Sequence, residues 1–235
     1  MLDFAEISST DVTVQRVSGC GTTACAGYAS SPEEMAYYNS SGAAVTLWFA
    51  VEAYSSTTTG TVTVSSTVTP PPPGYECPDA IDVSSLAAPW TGSLADYDNW
   101  WTSGTGCGYA SGREIWFTAT VQPDRIFEIA ETSSTDVTIQ RVSGCGTTAC
   151  AGYASSPEEI RYYNSTASPV TLWFAVEAYS STTVTAVAIE TSSVTPPPGY
   201  ECPDAIDVSS LAAPWTGTLA DYDNWWTSGT GCGYA

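Results

Sequence analysis

The chain has 235 residues, of which 43% are hydrophobic and only 13% charged, so it can bury a sizeable core and does not have the composition of a disordered chain. Twenty-five acidic residues stand against five arginines (Arg16, Arg113, Arg125, Arg141, Arg161), with no lysine or histidine, for a net charge of −20. That surface repels phosphate, which argues against nucleic acid or an anionic membrane as partner and serves solubility.

The N-terminus, Met1-Leu2-Asp3-Phe4-Ala5-Glu6, has no basic region and no apolar run, so it does not read as a signal peptide. No stretch of the chain approaches the roughly 18 apolar residues of a membrane span. Residues 8–34 recur at 133–159 with one difference, Val14 against Ile139. Residues 75–110 recur at 200–235, again with one difference, Ser93 against Thr218. Both offsets are 125, and a fixed period marks a repeat architecture. Proline runs separate the copies and form stiff polyproline spacers. The chain therefore divides into the C-terminal part of a first repeat (1–68), a linker (69–74), a complete repeat (75–193), a second linker (194–199) and the N-terminal part of a third repeat (200–235). Residues 111–125 occur only once. The chain reads as a piece cut at both ends, the alternative being two partial repeats that meet with one strand missing.

Within the complete repeat the apolar residues alternate with period two, as strands require. Ile115, Phe117, Ala119 and Val121 share one face, followed by Phe127 and Ile129, then Val137 and Ile139. Leu172, Phe174 and Val176 form another strand with Trp173 and Ala175 opposite; Val187 and Ile189 oppose Val184, Ala186 and Ala188. Pro123-Asp124, Ser143-Gly144 and Asn164-Ser165 are turn pairs between them, and Ser156–Glu159 has room for one helical turn at most. Seven or eight short strands predict an all-β, jelly-roll-like sandwich repeated with period 125.

Eight cysteines in an extracellular-looking composition point to disulfides, since structural zinc would need tight ligand clusters. Sequence leaves the connectivity open. The local expectation is Cys145–Cys150 around a tight loop and Cys77–Cys107 across the start of the repeat, repeated as Cys20–Cys25 and Cys202–Cys232.

Cys77-Pro78-Asp79-Ala80-Ile81, Thr91-Gly92-Ser93-Leu94, Arg113 through Ala119, and Thr135 through Ile139 leading to Ser143-Gly144-Cys145 resemble the bacterial pre-peptidase C-terminal domain family. The likeness is to its cysteine-containing versions in large secreted proteins of myxobacterial type. It implies a jelly-roll-like sandwich attached to secreted enzymes or surface proteins, with an accessory or adhesive role. This chain carries no enzyme module beside it.

The densest acidic cluster is Asp96-Tyr97-Asp98-Asn99, repeated as Asp221-Tyr222-Asp223-Asn224. Asp96, Asp98 and Asn99, or Asp221, Asp223 and Asn224, could supply calcium oxygen ligands, but the spacing lacks the glycine and distal glutamate of an EF-hand, and a solvated loop with Asx turns is the plainer reading. Trp100-Trp101 and Trp225-Trp226 follow directly. Adjacent strand residues face opposite ways, so one indole of each pair, with Tyr97 or Tyr222, could meet a sugar ring or a neighbouring repeat. Trp116 and Trp173 lie in apolar strands and are expected in the core. Asn164-Ser165-Thr166 and Asn39-Ser40-Ser41 match a glycosylation pattern that is usually accidental in a bacterial protein.

Catalysis has little to draw on. Without histidine there is no Ser–His or Cys–His pair, and no phosphate-binding glycine loop follows a strand. The sequence thus predicts a secreted, non-catalytic repeat protein of structural or adhesive type, with copies of itself as partners. The alternative is a module that tethers a secreted enzyme to an extracellular polymer.

Overall fold

The computed structural model describes residues 1–30, 32–39, 41, 43–99, 101, 107, 112–183, 185–200, 205–207, 209 and 213–218. The chain forms two compact units, Met1–Pro72 and Pro73–Ala235.

The first unit contains β1 (Leu2–Glu6), β2 (Val12–Val17), β3 (Cys25–Ala29), β4 (Glu34–Tyr37), β5 (Trp48–Ala53) and β6 (Val64–Val68). They form two antiparallel sheets with strand orders β4-β1-β6 and β3-β2-β5. Phe4 of one sheet stacks on Phe49 of the other at 4.3 Å, and Val12 and Val14 are buried.

The second unit contains β7 (Ile81–Asp82), β8 (Trp90–Ser93), β9 (Glu114–Val121), β10 (Arg125–Glu131), β11 (Val137–Val142), β12 (Cys150–Ala154), β13 (Glu159–Asn164), β14 (Val170–Ala178) and β15 (Ala186–Val194). A four-stranded sheet, β13-β10-β15-β8, packs on a five-stranded one, β12-β11-β14-β9-β7. All pairings are antiparallel except β7 with β9. Ile115, Phe117, Ala119 and Val121 point into the core beside Ile139, Phe174, Val176, Val187 and Ile189, all buried. Phe127 stacks on Phe174 across the layers at 6.1 Å, and Trp90 meets Phe117 edge-on at 5.0 Å. This is the all-β sandwich that the alternation predicts. Ser156–Glu159 makes a bend rather than a helical turn, and β13 starts at Glu159; strand pairing with β10 captures that glutamate. Val184 lies outside the described residues.

The end of the proline linker is built into the second unit. Trp116 N donates to Gly74 O at 2.8 Å, and Tyr97 Oη donates to Pro73 O at 2.8 Å. Gly74 has φ +80°, and a Cβ there would lie 2.9 Å from both Trp116 O and Ile81 Cδ1, so glycine alone fits. The turn asparagine Asn164 is fully buried: its amide donates to Val121 O and Ser168 O at 2.9 Å each, and its Oδ1 accepts from Thr166. It braces two loops, which uses the very side chain a glycan would need.

The strands of the first unit correspond to β10–β15, 125 positions on, with the same registers and the same irregularity at Arg16/Val17 and Arg141/Val142. Residues 1–72 hold no counterpart of β7, β8 and β9, whose sequences fall at 81–121. Val62 and Val64 are therefore 42% and 46% exposed, whereas Val187 and Ile189 are 0%. Burial decides what these side chains contribute. Ile189→Ala is expected to destabilise the second unit by roughly 2–5 kcal/mol, and Val64→Ala to change the first by less than about 0.5 kcal/mol, both read by calorimetric or denaturant unfolding.

Candidate functional site

One end of the outer face of the five-stranded sheet is as buried as the inner face, while Thr120 and Thr171 at the other end are exposed. Alternate positions place Glu114 and Trp116 of β9, Thr138, Gln140 and Val142 of β11, and Ala175 and Glu177 of β14 on that face, all less than 9% exposed. The opening segment of the repeat covers it. Cys77, Trp116, Val142 and Ala175 form a second small core, with Ala80, Trp101, Cys145 and Trp173 packed against it. The Trp101 ring meets Trp116 edge-on at 5.3 Å; its Nε1 donates to Thr147 O at 3.3 Å and its backbone N to a Glu114 carboxylate oxygen at 2.8 Å. Trp116 is thus a core residue of the outer layer, not of the space between the sheets, and Trp173, expected in the core, is only half-buried at its margin.

Two disulfides fasten this cover: Cys77–Cys145 and Cys107–Cys150. The local pairs Cys77–Cys107 and Cys145–Cys150 do not form. Both cysteines of the β11–β12 loop bond instead to the opening segment lying over them. These bonds span 68 and 43 residues. On loop-closure entropy each contributes roughly 4 kcal/mol, about twice what a five-residue loop would. Cys20 and Cys25 do not pair either; both are exposed thiols. Cys202 and Cys232 lie outside the described residues.

Between cover and sheet lies a cleft of about 410 Å³, walled by Tyr75, Trp101 and Trp116 and edged by the carboxylates of Glu76 and Glu114. Burial, and secondarily Asp79, raises the Glu76 carboxyl above its ordinary range. The predicted contact residue Tyr97 is not at a surface. It is 4% exposed, and burial, then the neighbouring Asp96, pushes its phenol up to about 12. Its hydrogen bond to Pro73 makes it a strut for the linker rather than a ligand contact. Asp98 accepts from Tyr75 Oη, Asp96 is exposed in a short 3-10 turn over Leu94–Asp96, and Arg113 Nη1 donates to Ala95 O at 2.6 Å and Tyr97 O at 2.7 Å. Asn99 follows on this strapped loop. Among the described residues no three carboxylates or thiols gather where a metal ion would sit. Trp100, Tyr222, Trp225, Trp226, Asp221, Asp223 and Asn224 lie outside the described residues.

No protein-family profile matches the chain, and no curated protein does. Among solved structures it is similar to the crystal structure of Aeromonas hydrophila PliG, a periplasmic lysozyme inhibitor of g-type lysozyme, at 13% identity and a TM-score of 0.31. That match covers 48% of this chain and 96% of the other.

Sequence reasoning missed the buried polar cluster under the cover. Gln140 Nε2 donates to Glu177 Oε2 at 2.7 Å, and Glu177 stands opposite Glu114 across β14 and β9. Desolvation pushes the Glu177 carboxyl up to about 7, against the pull of the Gln140 hydrogen bond. In the first unit the equivalent bond, Gln15 Nε2 to Glu52 Oε2 at 3.0 Å, stands in solvent. The available signal was that β9 and β14 are nearly continuous apolar runs, as in strands covered on both faces.

A raised carboxyl pKa favours folding only while the group is protonated. The contribution of Glu177 to the stability of the second unit is therefore fully present below the ordinary value of 4.5, and is lost as pH climbs through about 7. Glu177→Gln is expected to flatten this dependence and to stabilise the unit at pH 8 by up to roughly 3 kcal/mol, at about 1.4 kcal/mol per pK unit. Thermal melts of both proteins from pH 4 to 9 would check it.

Proposed function

We propose that this protein is a non-catalytic, extracellular repeat protein of structural or adhesive type, akin to the cysteine-containing pre-peptidase C-terminal domains its repeat resembles. The observation that carries this reading is the pair of disulfides holding the opening segment over the sheet. Such long-range bonds persist outside the reducing cytoplasm, and here they close a layer that includes three buried polar side chains, Glu114, Gln140 and Glu177. The 125-residue period and the proline spacers support an array of beads. The arginines support a structural role too: Arg113 straps a loop, Arg125 donates to Thr195, Arg141 to Ala151 O, and Arg161 pairs with Glu128. A surface of this charge keeps such beads soluble and apart.

Native protein is expected outside the cytoplasm, with Cys77, Cys107, Cys145 and Cys150 blocked to alkylation until a reductant is added. Cell fractionation with thiol trapping checks this; cytoplasmic protein with all four thiols reactive would overturn it.

The cleft beside Trp101 favours a second reading, a polymer-binding module, because the half-buried Trp101 indole and the half-buried Glu76 carboxylate at its edge suit a sugar: an indole stacks on a ring and a carboxylate accepts hydroxyl protons. On that reading the protein is retained on an insoluble polysaccharide, and Glu76→Ala weakens retention at unchanged stability. Absence of retention on a panel of polysaccharides removes it.

A further inference from the structure

We propose that the second unit binds one calcium ion beneath the cover, on the outer face of its five-stranded sheet, through the carboxylates of Glu114 and Glu177, the amide oxygen of Gln140 and the hydroxyl of Thr138. The inference does not rest on the functional reading above, and the site is separate from the acidic loop around Asp96.

Strand register gathers these groups. Thr138 of β11 stands opposite Glu177 of β14, and Glu177 stands opposite Glu114 of β9, so the three form one row across adjacent strands. Neighbours in such a row are about 5 Å apart at Cβ. Gln140 lies two positions from Thr138 on the same face, and its Nε2 donates to Glu177 Oε2 at 2.7 Å. None of the four is more than 1% exposed. The cover reaches the row from above, where Trp101 N donates to a Glu114 carboxylate oxygen at 2.8 Å.

Two buried oxygens at the row are orphaned. Thr138 Oγ1 and Gln140 Oε1 have no hydrogen-bond partner among the described residues. Burying such atoms dry and unmatched is unfavourable, so each calls for a ligand. Gln140 Oε1 shares its carbon with the nitrogen that touches Glu177, and Thr138 is the cross-strand neighbour of that same residue. Both orphans therefore adjoin one carboxylate. Charge makes the same demand. The chain has no lysine or histidine, and the guanidinium bonds of the second unit go elsewhere: Arg113 to Ala95 O and Tyr97 O, Arg125 to Thr195, Arg141 to Ala151 O and Arg161 to Glu128. Glu177 thus has an amide for a partner and a second buried carboxylate beside it in the row. Its charge must be met from solution, by a proton or by a cation.

The donor set selects the cation. Every donor is oxygen, whereas zinc and copper favour nitrogen and sulfur, and Cys77, Cys107, Cys145 and Cys150 are held in disulfides. Magnesium keeps several of its waters, which a row this buried does not admit. Calcium takes about six to eight oxygens in an adaptable geometry; two bidentate carboxylates, the amide and the hydroxyl supply about six. Two carboxylates also balance a divalent charge. The ion ties β9, β11 and β14 together and, through Glu114, joins them to the cover.

The test uses the oxidised full-length chain, stripped with a chelator and held at about pH 8, where carboxylates are free to ligate. Melting is followed by tryptophan fluorescence, which reports on the second unit because, of nine tryptophans, only Trp48 lies in the first. Calcium chloride at about a hundred times its Kd is expected to raise the transition by roughly 5–10 °C. Magnesium chloride is expected to raise it far less. Thr138→Val keeps the side chain's shape and removes only the orphaned oxygen. It is expected to leave the chelated melt near that of the parent and to weaken calcium binding about tenfold. Glu177→Gln is expected to abolish the shift, and Asp96→Asn, in the exposed acidic loop, to retain it in full. A melt that calcium leaves unmoved overturns the proposal and means that the row holds protons only. A calcium shift that survives both Thr138→Val and Glu177→Gln unchanged overturns it too, as does one that Asp96→Asn removes. Should Glu177→Gln fail to fold, the Kd of Thr138→Val decides alone.

Discussion

Cys145 and Cys150 share one short loop, yet each is bonded to a residue far back in the opening segment of the repeat. A sandwich normally leaves the outer faces of its sheets to water. Here one outer face carries Trp116, Val142 and Ala175, so it must be roofed, and the roof is a stretch whose described residues hold short elements, the 3-10 turns Cys77–Asp79 and Leu94–Asp96 and the strands β7 and β8. Such a stretch loses much chain entropy on ordering. Two long-range cross-links reduce that loss by restricting the unfolded chain, and they hold the roof where its indole and disulfide can fill the groove.

What the roof covers changes its chemistry. The Gln–Glu pair bridging the paired strands β2 and β5, and β11 and β14, is present in both units with the same donor and acceptor atoms. In solvent it is an ordinary surface hydrogen bond. Beneath the roof the same carboxylate loses its hydration, and its proton affinity rises. The valines of β6 and the apolar residues of β15 make a parallel comparison: one pattern is exposed or buried according to whether the opening strands are present. A single chain thus displays one set of strands in two environments.

The same roof also organises the segment with the densest acidic and aromatic sequence. Tyr75, Tyr97 and Arg113 engage Asp98, Pro73 and two carbonyls, tying the proline spacer to the domain that follows it. The aromatic residues beside Glu76 and Glu114 line a cleft between this layer and the sheet.

Much of the fold was legible along the chain because period-two alternation is a local consequence of the strand backbone. Ile115 through Val121, Phe174 and Val176, and Val187 and Ile189 lie inward as their spacing requires, and the turn at Asp124 takes the left-handed conformation its sequence allows. The 125-residue repeat by itself makes the strands of the first unit equivalent to β10–β15. Three things were decided by tertiary structure alone: the crossed cysteine pairing, the burial of Tyr97, and the sequestering of Glu114 and Glu177. Each depends on which distant segment lies over the outer face of a sheet. Alternation says that side chains point two ways; it does not say what, if anything, covers the second side.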